Sequence, residues 1–218
     1  MVQKIIDKLS LVLITDRSLC KLSFFDTVRL ALKGGVRTVQ LREKGLTTQK
    51  LYSLANELRG ITLDFEANLI INDRVDIALA VNADGVHLGW QSLPFSIARR
   101  LLGTEKLIGV STHNRKEALQ AQNFGADYIT FGPIYNTPSK VGLLEPTGPG
   151  EIQNLKREIK IPIIALGGIN EDNIKDILDN GAGGVAVISS IMNADNPERV
   201  AIFLSNKIKE FKKNNILF

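Results

Sequence analysis

The chain has 218 residues, 44% hydrophobic and 23% charged, with 18 Gly, 7 Pro and a single Cys. This balance excludes disordered, collagenous and disulfide-stapled chains, and a chain this long buries roughly 70% of its unfolded surface with no metal or disulfide to hold it. Much of the formal net charge of +4 traces to Lys207, Lys209, Lys212 and Lys213, which read as a solvated helix face without interleaved aromatics. No nucleic-acid partner is expected from it.

Leu9–Thr15 opens the ordered pattern as an apolar run too short to span a bilayer and without a small-residue cleavage site. It reads as a buried strand, and with the lone Cys20 it points to a cytoplasmic protein that has no membrane partner. Strands are then predicted at Leu11–Asp16, Thr38–Glu43, Asn68–Asp73, Gly85–Gly89, Leu107–Thr112, Asp127–Gly132, Ile161–Gly168 and Gly184–Ser189. Several are nearly continuous apolar runs, as parallel strands buried on both faces require. Helical spacing separates them: Ala118, Ala121 and Phe124 share one face, and Val200, Leu204 and Ile208 another.

Eight strands, each followed by a helix, predict an α/β fold, a single (β/α)₈ TIM barrel over residues 1–218. The competing architecture is a doubly wound open sheet, which Gly181-Ala182-Gly183-Gly184-Val185-Ala186 superficially favours. That glycine pattern follows a helix and opens a strand, the reverse of a dinucleotide fingerprint, so it reads as a helix stop and tight turn.

In such a barrel the groups after the C-terminal ends of the strands share one mouth. Gln40, Arg42 and Lys44 alternate onto one side of the second strand, and Asn72-Asp73 ends the third. His87 lies within the fourth, where it reads equally as a hydrogen-bonded wall residue and as a catalytic one. Ser111 and His113 end the fifth, and His113 is the better placed for acid–base work. Gly167-Gly168 after the seventh strand and Ser189-Ser190 after the eighth are suited to a phosphate, held by backbone N–H groups; a Gly-rich turn without a ligand would look similar. Arg42, Lys44 and Lys140 can hold a diphosphate, with Asp73 on an accompanying Mg²⁺, unless they are unrelated charges on a solvated rim. Trp90 is suited either to stacking on a ring or to closing one edge of the mouth.

These segments make a resemblance specific. VQLREK (39–44), INDRVDIAL (71–79), ADGVHLG (83–89), IGVSTH (108–113), GADYITFGPIYNTPSK (125–140), IPIIALGGI (161–169) and GVAVISSI (184–191) occur in order at strand ends. Over residues 10–205 the chain resembles the thiamine phosphate synthase / thiazole tautomerase family. The resemblance implies the same barrel and a transferase that joins a pyrimidine-methyl diphosphate to a thiazole phosphate. It assigns Gln40, Arg42, Lys44, Asn72 and Lys140 to the pyrimidine diphosphate, with Ser111 nearby. Thr137, Ser139, Gly168, Ile188 and Ser189 fall to the thiazole phosphate. Lys140, Ser111 and His113 are the catalytic candidates, Asp73 the metal ligand and Mg²⁺ the cofactor. The partners expected are small phosphorylated substrates; oligomeric state stays open.

One departure stands out. Synthases resembling this chain carry a second carboxylate after HLG, where Gly89-Trp90-Gln91-Ser92 puts Ser92. Tautomerases of the family have Ser there and need no metal, and His113 would be their proton shuttle. The retained diphosphate set favours the synthase. A thiazole phosphate or thiamine phosphate binding protein without turnover is the third reading.

Overall fold

The apolar runs pair side by side in chain order and close on themselves. In the computed structural model, which describes residues 7–137 and 145–215, the strands are β1 Leu11–Ile14, β2 Thr38–Leu41, β3 Asn68–Asn72 and β4 Gly85–Leu88, followed by β5 Leu107–Thr112, β6 Tyr128–Phe131, β7 Ile163–Leu166 and β8 Gly184–Val187. All neighbours are parallel and β8 returns to β1, giving the closed eight-stranded barrel expected. Helices follow every strand: α1 Phe24–Lys33, α2 Thr48–Asp64, α3 Val75–Ala80, α4 Phe95–Leu102, α5 Arg115–Phe124, α6 Gly150–Lys156 and α7 Ile174–Asp179. After β8 come the four-residue α8 Ser189–Met192 and the long α9 Pro197–Asn215. None of the described helices is long and apolar enough to cross a membrane.

Strand periodicity sorts the apolar residues into two cores. Leu11, Leu13, Val39, Leu41, Leu69 and Ile71 face the helices, while Val12, Ile14, Ile70, Leu107, Tyr128, Ile164 and Ala186 fill the barrel interior. Val200, Leu204 and Ile208 are buried on one face of α9, as their spacing predicts. Phe124 departs from its predicted face. Ala118 and Ala121 are buried, whereas Phe124 is 57% exposed and stacks on Phe95 of α4, its ring centroid 6.3 Å away. Each step of three residues rotates about 60° round a helix, so by the second step the side chain has left the buried stripe for the α4–α5 seam. The glycine run after α7 is a helix stop, with Gly181 at φ +88° and β8 beginning at Gly184.

The bottom of the barrel is clamped by two matching ion pairs. Asp84 and Asp127, before β4 and β6, each take a guanidinium N–H (Arg59 at 2.7 Å, Arg99 at 2.6 Å) and a backbone N–H of the preceding strand, Leu69 and Ile108, both at 2.7 Å. This fixes the strands at one end and leaves the other to carry chemistry.

Candidate active site

Several strands end sooner than the sequence pattern suggests. Asp16, Glu43, Asp73, Gly89, Gly168 and Ser189 all lie past the last paired residue. Ser189 opens α8 and the others lie in turns and loops, so their placement is not set by strand alternation.

At β2, Gln40 is 1% exposed and its Nε2 has no acceptor among the described residues. Buried amides rarely stay unpartnered, so this donor is available to a ligand. Beyond it the chain turns. The Arg42 N–H donates to Thr15 Oγ1 (3.0 Å), and the Thr15 hydroxyl donates to Glu43 Oε1 (2.7 Å). Glu43 also accepts the Arg17 N–H on both oxygens at 3.2 Å. Burial pushes its carboxyl above the usual range, against the opposing pull of these hydrogen bonds. Thr15 and Glu43, absent from the predicted set, thus tie the turn carrying Arg42 to the end of β1. Arg42 is half-buried and Lys44 exposed.

At β3, Asp73 sits at φ +60°, a left-handed conformation that Asp tolerates better than most residues. Its N–H donates to the His87 carbonyl (2.9 Å), and its carboxylate faces the turn after β4. Asn72 Nδ2 donates to Asp73 Oδ2 (2.6 Å), and the Ser92 hydroxyl donates to Oδ1. Ser92 in turn accepts the Gly89 N–H at 2.7 Å. The residue that replaces the expected second carboxylate is therefore in direct contact with the first. Trp90, between them in sequence, is 88% exposed.

Beneath this turn a polar group is built into the interior. His87 is buried, with Nε2 2.9 Å from Ser111 Oγ and 3.2 Å from Thr130 Oγ1, and Nδ1 3.2 Å from the Tyr128 hydroxyl. Burial drives its pKa down to about 4; Arg42 pushes the same way and Asp73 opposes. At neutral pH the imidazole is uncharged. His113, the other histidine, lies just past β5 with Nδ1 2.9 Å from Glu117 Oε2, and that oxygen also accepts the His113 N–H at 2.8 Å. The first turn of α5 thus holds His113 from two atoms.

The remaining candidates lie after β6, β7 and β8. Thr137 is half-buried at the start of the β6 loop; Ser139 and Lys140 lie outside the described residues. Across the loop, Thr147 and Gly148 donate to the carbonyls of Pro133 (2.9 Å) and Ile134 (3.1 Å), so residues 145–149 are pinned to the start of the same loop. The Gly/Pro content of 141–149 suits a mobile lid or a rigid turn alike, and 141–144 lie outside the described residues. Gly168 has φ +67°, and a Cβ there would sit 2.7 Å from both the Asn136 carbonyl oxygen and the Tyr135 Cβ, so only glycine fits. Asn173 Nδ2 donates to the Gly168 carbonyl (2.9 Å), and the Ser190 hydroxyl donates to the Ile169 carbonyl, joining this loop to α8. Ile188 is half-buried and Ser189 exposed, and the N–H groups that open α8 have no acceptor within the helix.

The geometry therefore groups Asn72, Asp73 and Ser92 in one cluster and Ser111 with His87 in another, with the charge of Arg42 felt at His87. With that arrangement in place, the pattern of the thiamine monophosphate synthase family matches residues 11–191, from the first residue of β1 into α8. The chain belongs to that family. It is 48% identical over 190 residues to the thiamine-phosphate synthase of Syntrophomonas wolfei, covering 87% of this chain and 91% of that protein. It is 42% identical over 207 residues to the thiamine-phosphate synthase of Methanobrevibacter smithii, covering 95% and 97%. Among solved structures, thiamine phosphate pyrophosphorylase from Pyrococcus furiosus superposes with a TM-score of 0.87 at 36% identity, covering 94% of this chain and 98% of that one.

Glu43, Tyr128 and Thr130 carry little signal in the sequence pattern. Glu43 stands inside the matched VQLREK segment, and its burial is foreshadowed only by Thr15 at the end of β1, a partner 28 positions away. Tyr128 and Thr130 stand inside GADYITFGPIY, where they read as plain strand residues. Their role depends on the barrel register that brings β4, β5 and β6 together.

Proposed function

We infer that this chain is a transferase that forms thiamine phosphate from a pyrimidine-methyl diphosphate and a thiazole phosphate, releasing diphosphate. The observation that carries the inference is similarity to thiamine-phosphate synthases along nearly the whole of both chains. In this reaction the bond from the pyrimidine methylene to diphosphate oxygen breaks, its electron pair leaving with the diphosphate. The thiazole nitrogen lone pair then forms the new C–N bond. The net change requires no proton, only that charge on the leaving group be neutralised and the two partners be aligned.

The residues divide accordingly. Arg42, Lys44 and Lys140 would meet the diphosphate, with the Gln40 amide and Asn72 as neutral donors and the Ser111 hydroxyl beside them. Gly168 and the opening N–H groups of α8 would take the thiazole phosphate, with Thr137, Ser139, Ile188 and Ser189 around it. The Asp73 carboxylate and the adjacent Ser92 hydroxyl are hard oxygen donors that fit Mg²⁺, an ion that commonly makes do with one or two carboxylates and takes its other ligands from phosphates and water. When bound, that ion would supply positive charge to the leaving diphosphate. His113, the proton shuttle of the tautomerase reading, has no necessary part in the condensation.

The test is Lys140→Ala, assayed for thiamine phosphate formation. Loss of turnover in a folded variant supports the diphosphate assignment, and unchanged turnover removes it.

A further inference from the structure

Register places Asn72, His87, Gly109 and Tyr128 at one level across β3 to β6, with Ser111 and Thr130 paired two residues above. Gly109 has no side chain, and the Tyr128 ring lies in the space it vacates: a Cβ on Gly109 would be 2.1 Å from Tyr128 Cζ and 2.5 Å from its hydroxyl oxygen. That gap lets a tyrosine on β6 reach a histidine on β4 across the intervening strand.

Hydrogen-bond bookkeeping then fixes the imidazole. The Tyr128 hydroxyl is buried, and among the described residues its hydrogen-bond partner is His87 Nδ1. A buried O–H left without an acceptor is costly, so Tyr128 donates and Nδ1 accepts. A neutral imidazole with an accepting Nδ1 carries its proton on Nε2. That N–H faces Ser111 Oγ at 2.9 Å, with Thr130 Oγ1 at 3.2 Å. Ser111 Oγ is then an acceptor from below, and its own proton is left to point up into the mouth.

We propose that His87 is a positioning residue for the synthase reaction: held in one tautomer by Tyr128, it orients the Ser111 hydroxyl as a donor toward the substrate diphosphate. This rests on the function inferred above, and adds to it a relay from β6 through β4 to β5 that never touches substrate.

The test combines Tyr128→Phe, His87→Leu and His87→Gln with ¹⁵N NMR of the imidazole in the unmutated protein. Phe fills the same space but offers no proton to Nδ1, so kcat should fall about tenfold, the scale of one misdirected hydrogen bond, with KM for the pyrimidine diphosphate little changed. Leu should lose at least as much, and Gln, whose amide can still donate to Ser111, should recover part of it. Thermal unfolding of each variant separates this from loss of fold, and NMR should show the proton on Nε2. A proton on Nδ1, or full kcat in Tyr128→Phe and His87→Leu, overturns the proposal while an active unmutated enzyme keeps the functional reading. An unmutated protein that makes no thiamine phosphate overturns both.

Discussion

Replacing Gly109 by Ala tests the packing on which the interior polar group depends. The added Cβ would lie 2.1 Å from Tyr128 Cζ, where ordinary contact begins at 3.4 Å, so the ring must retreat by more than an ångström. Tyr128 is 2% exposed and packs with Leu107 and Ile164 in the barrel interior, which leaves little room for that movement. Forced overpacking costs about 1–3 kcal/mol. The same displacement stretches the 3.2 Å contact from the Tyr128 hydroxyl to His87 Nδ1 beyond hydrogen-bonding range, which adds about 1 kcal/mol. The expected loss is therefore about 2–4 kcal/mol of unfolding free energy, measured by urea denaturation followed by circular dichroism. In a Tyr128→Ala background the obstacle is gone, so the same Gly109→Ala change should cost little and the two substitutions should be strongly non-additive. A loss below about 0.5 kcal/mol for Gly109→Ala alone, or additive effects, would refute the reasoning.

Three further outcomes follow from the site. Ser92→Asp restores a second carboxylate beside Asp73 and should lower the Mg²⁺ concentration giving half-maximal rate; an unchanged requirement would separate Ser92 from the metal. Glu43→Gln should change how stability varies with pH. Burial raises the Glu43 carboxyl above its ordinary value of 4.5, so the folded chain holds that proton more tightly than the unfolded one. The resulting stabilisation is present at low pH and is lost as pH rises through the raised value. The glutamine variant should lack that decline, and unfolding free energies with the same pH slope in both proteins would contradict it. Lys140→Ala should abolish thiamine phosphate formation and change the unfolding free energy measured in urea by no more than about 0.5 kcal/mol.

The barrel was legible because its strands are short apolar runs in regular alternation with helices, and Val200, Leu204 and Ile208 do lie on one buried face. Strand ends were harder to read. Gln40, Arg42 and Lys44 look like one face of a strand, yet pairing stops at Leu41 and the Thr15–Glu43 bond takes over the chain's direction. Asp73 and Ser92 are 19 positions apart, and only the turn after β4 brings the hydroxyl onto the carboxylate. The His87 group was the least visible part. It depends on an absence, the missing side chain of Gly109, and on a register two strands wide. Periodicity marks His87 as an interior strand residue but says nothing of what fills the space opposite. For Phe124, the same periodicity was extended one step too far round the helix.

The most direct measurement is to incubate the purified chain with the pyrimidine-methyl diphosphate and the thiazole phosphate, with and without Mg²⁺, and quantify thiamine phosphate and released diphosphate. The account predicts equal amounts of both products, formed only when the metal is added. A folded protein that yields neither product, while converting the thiazole carboxylate phosphate to its tautomer without metal, would contradict it.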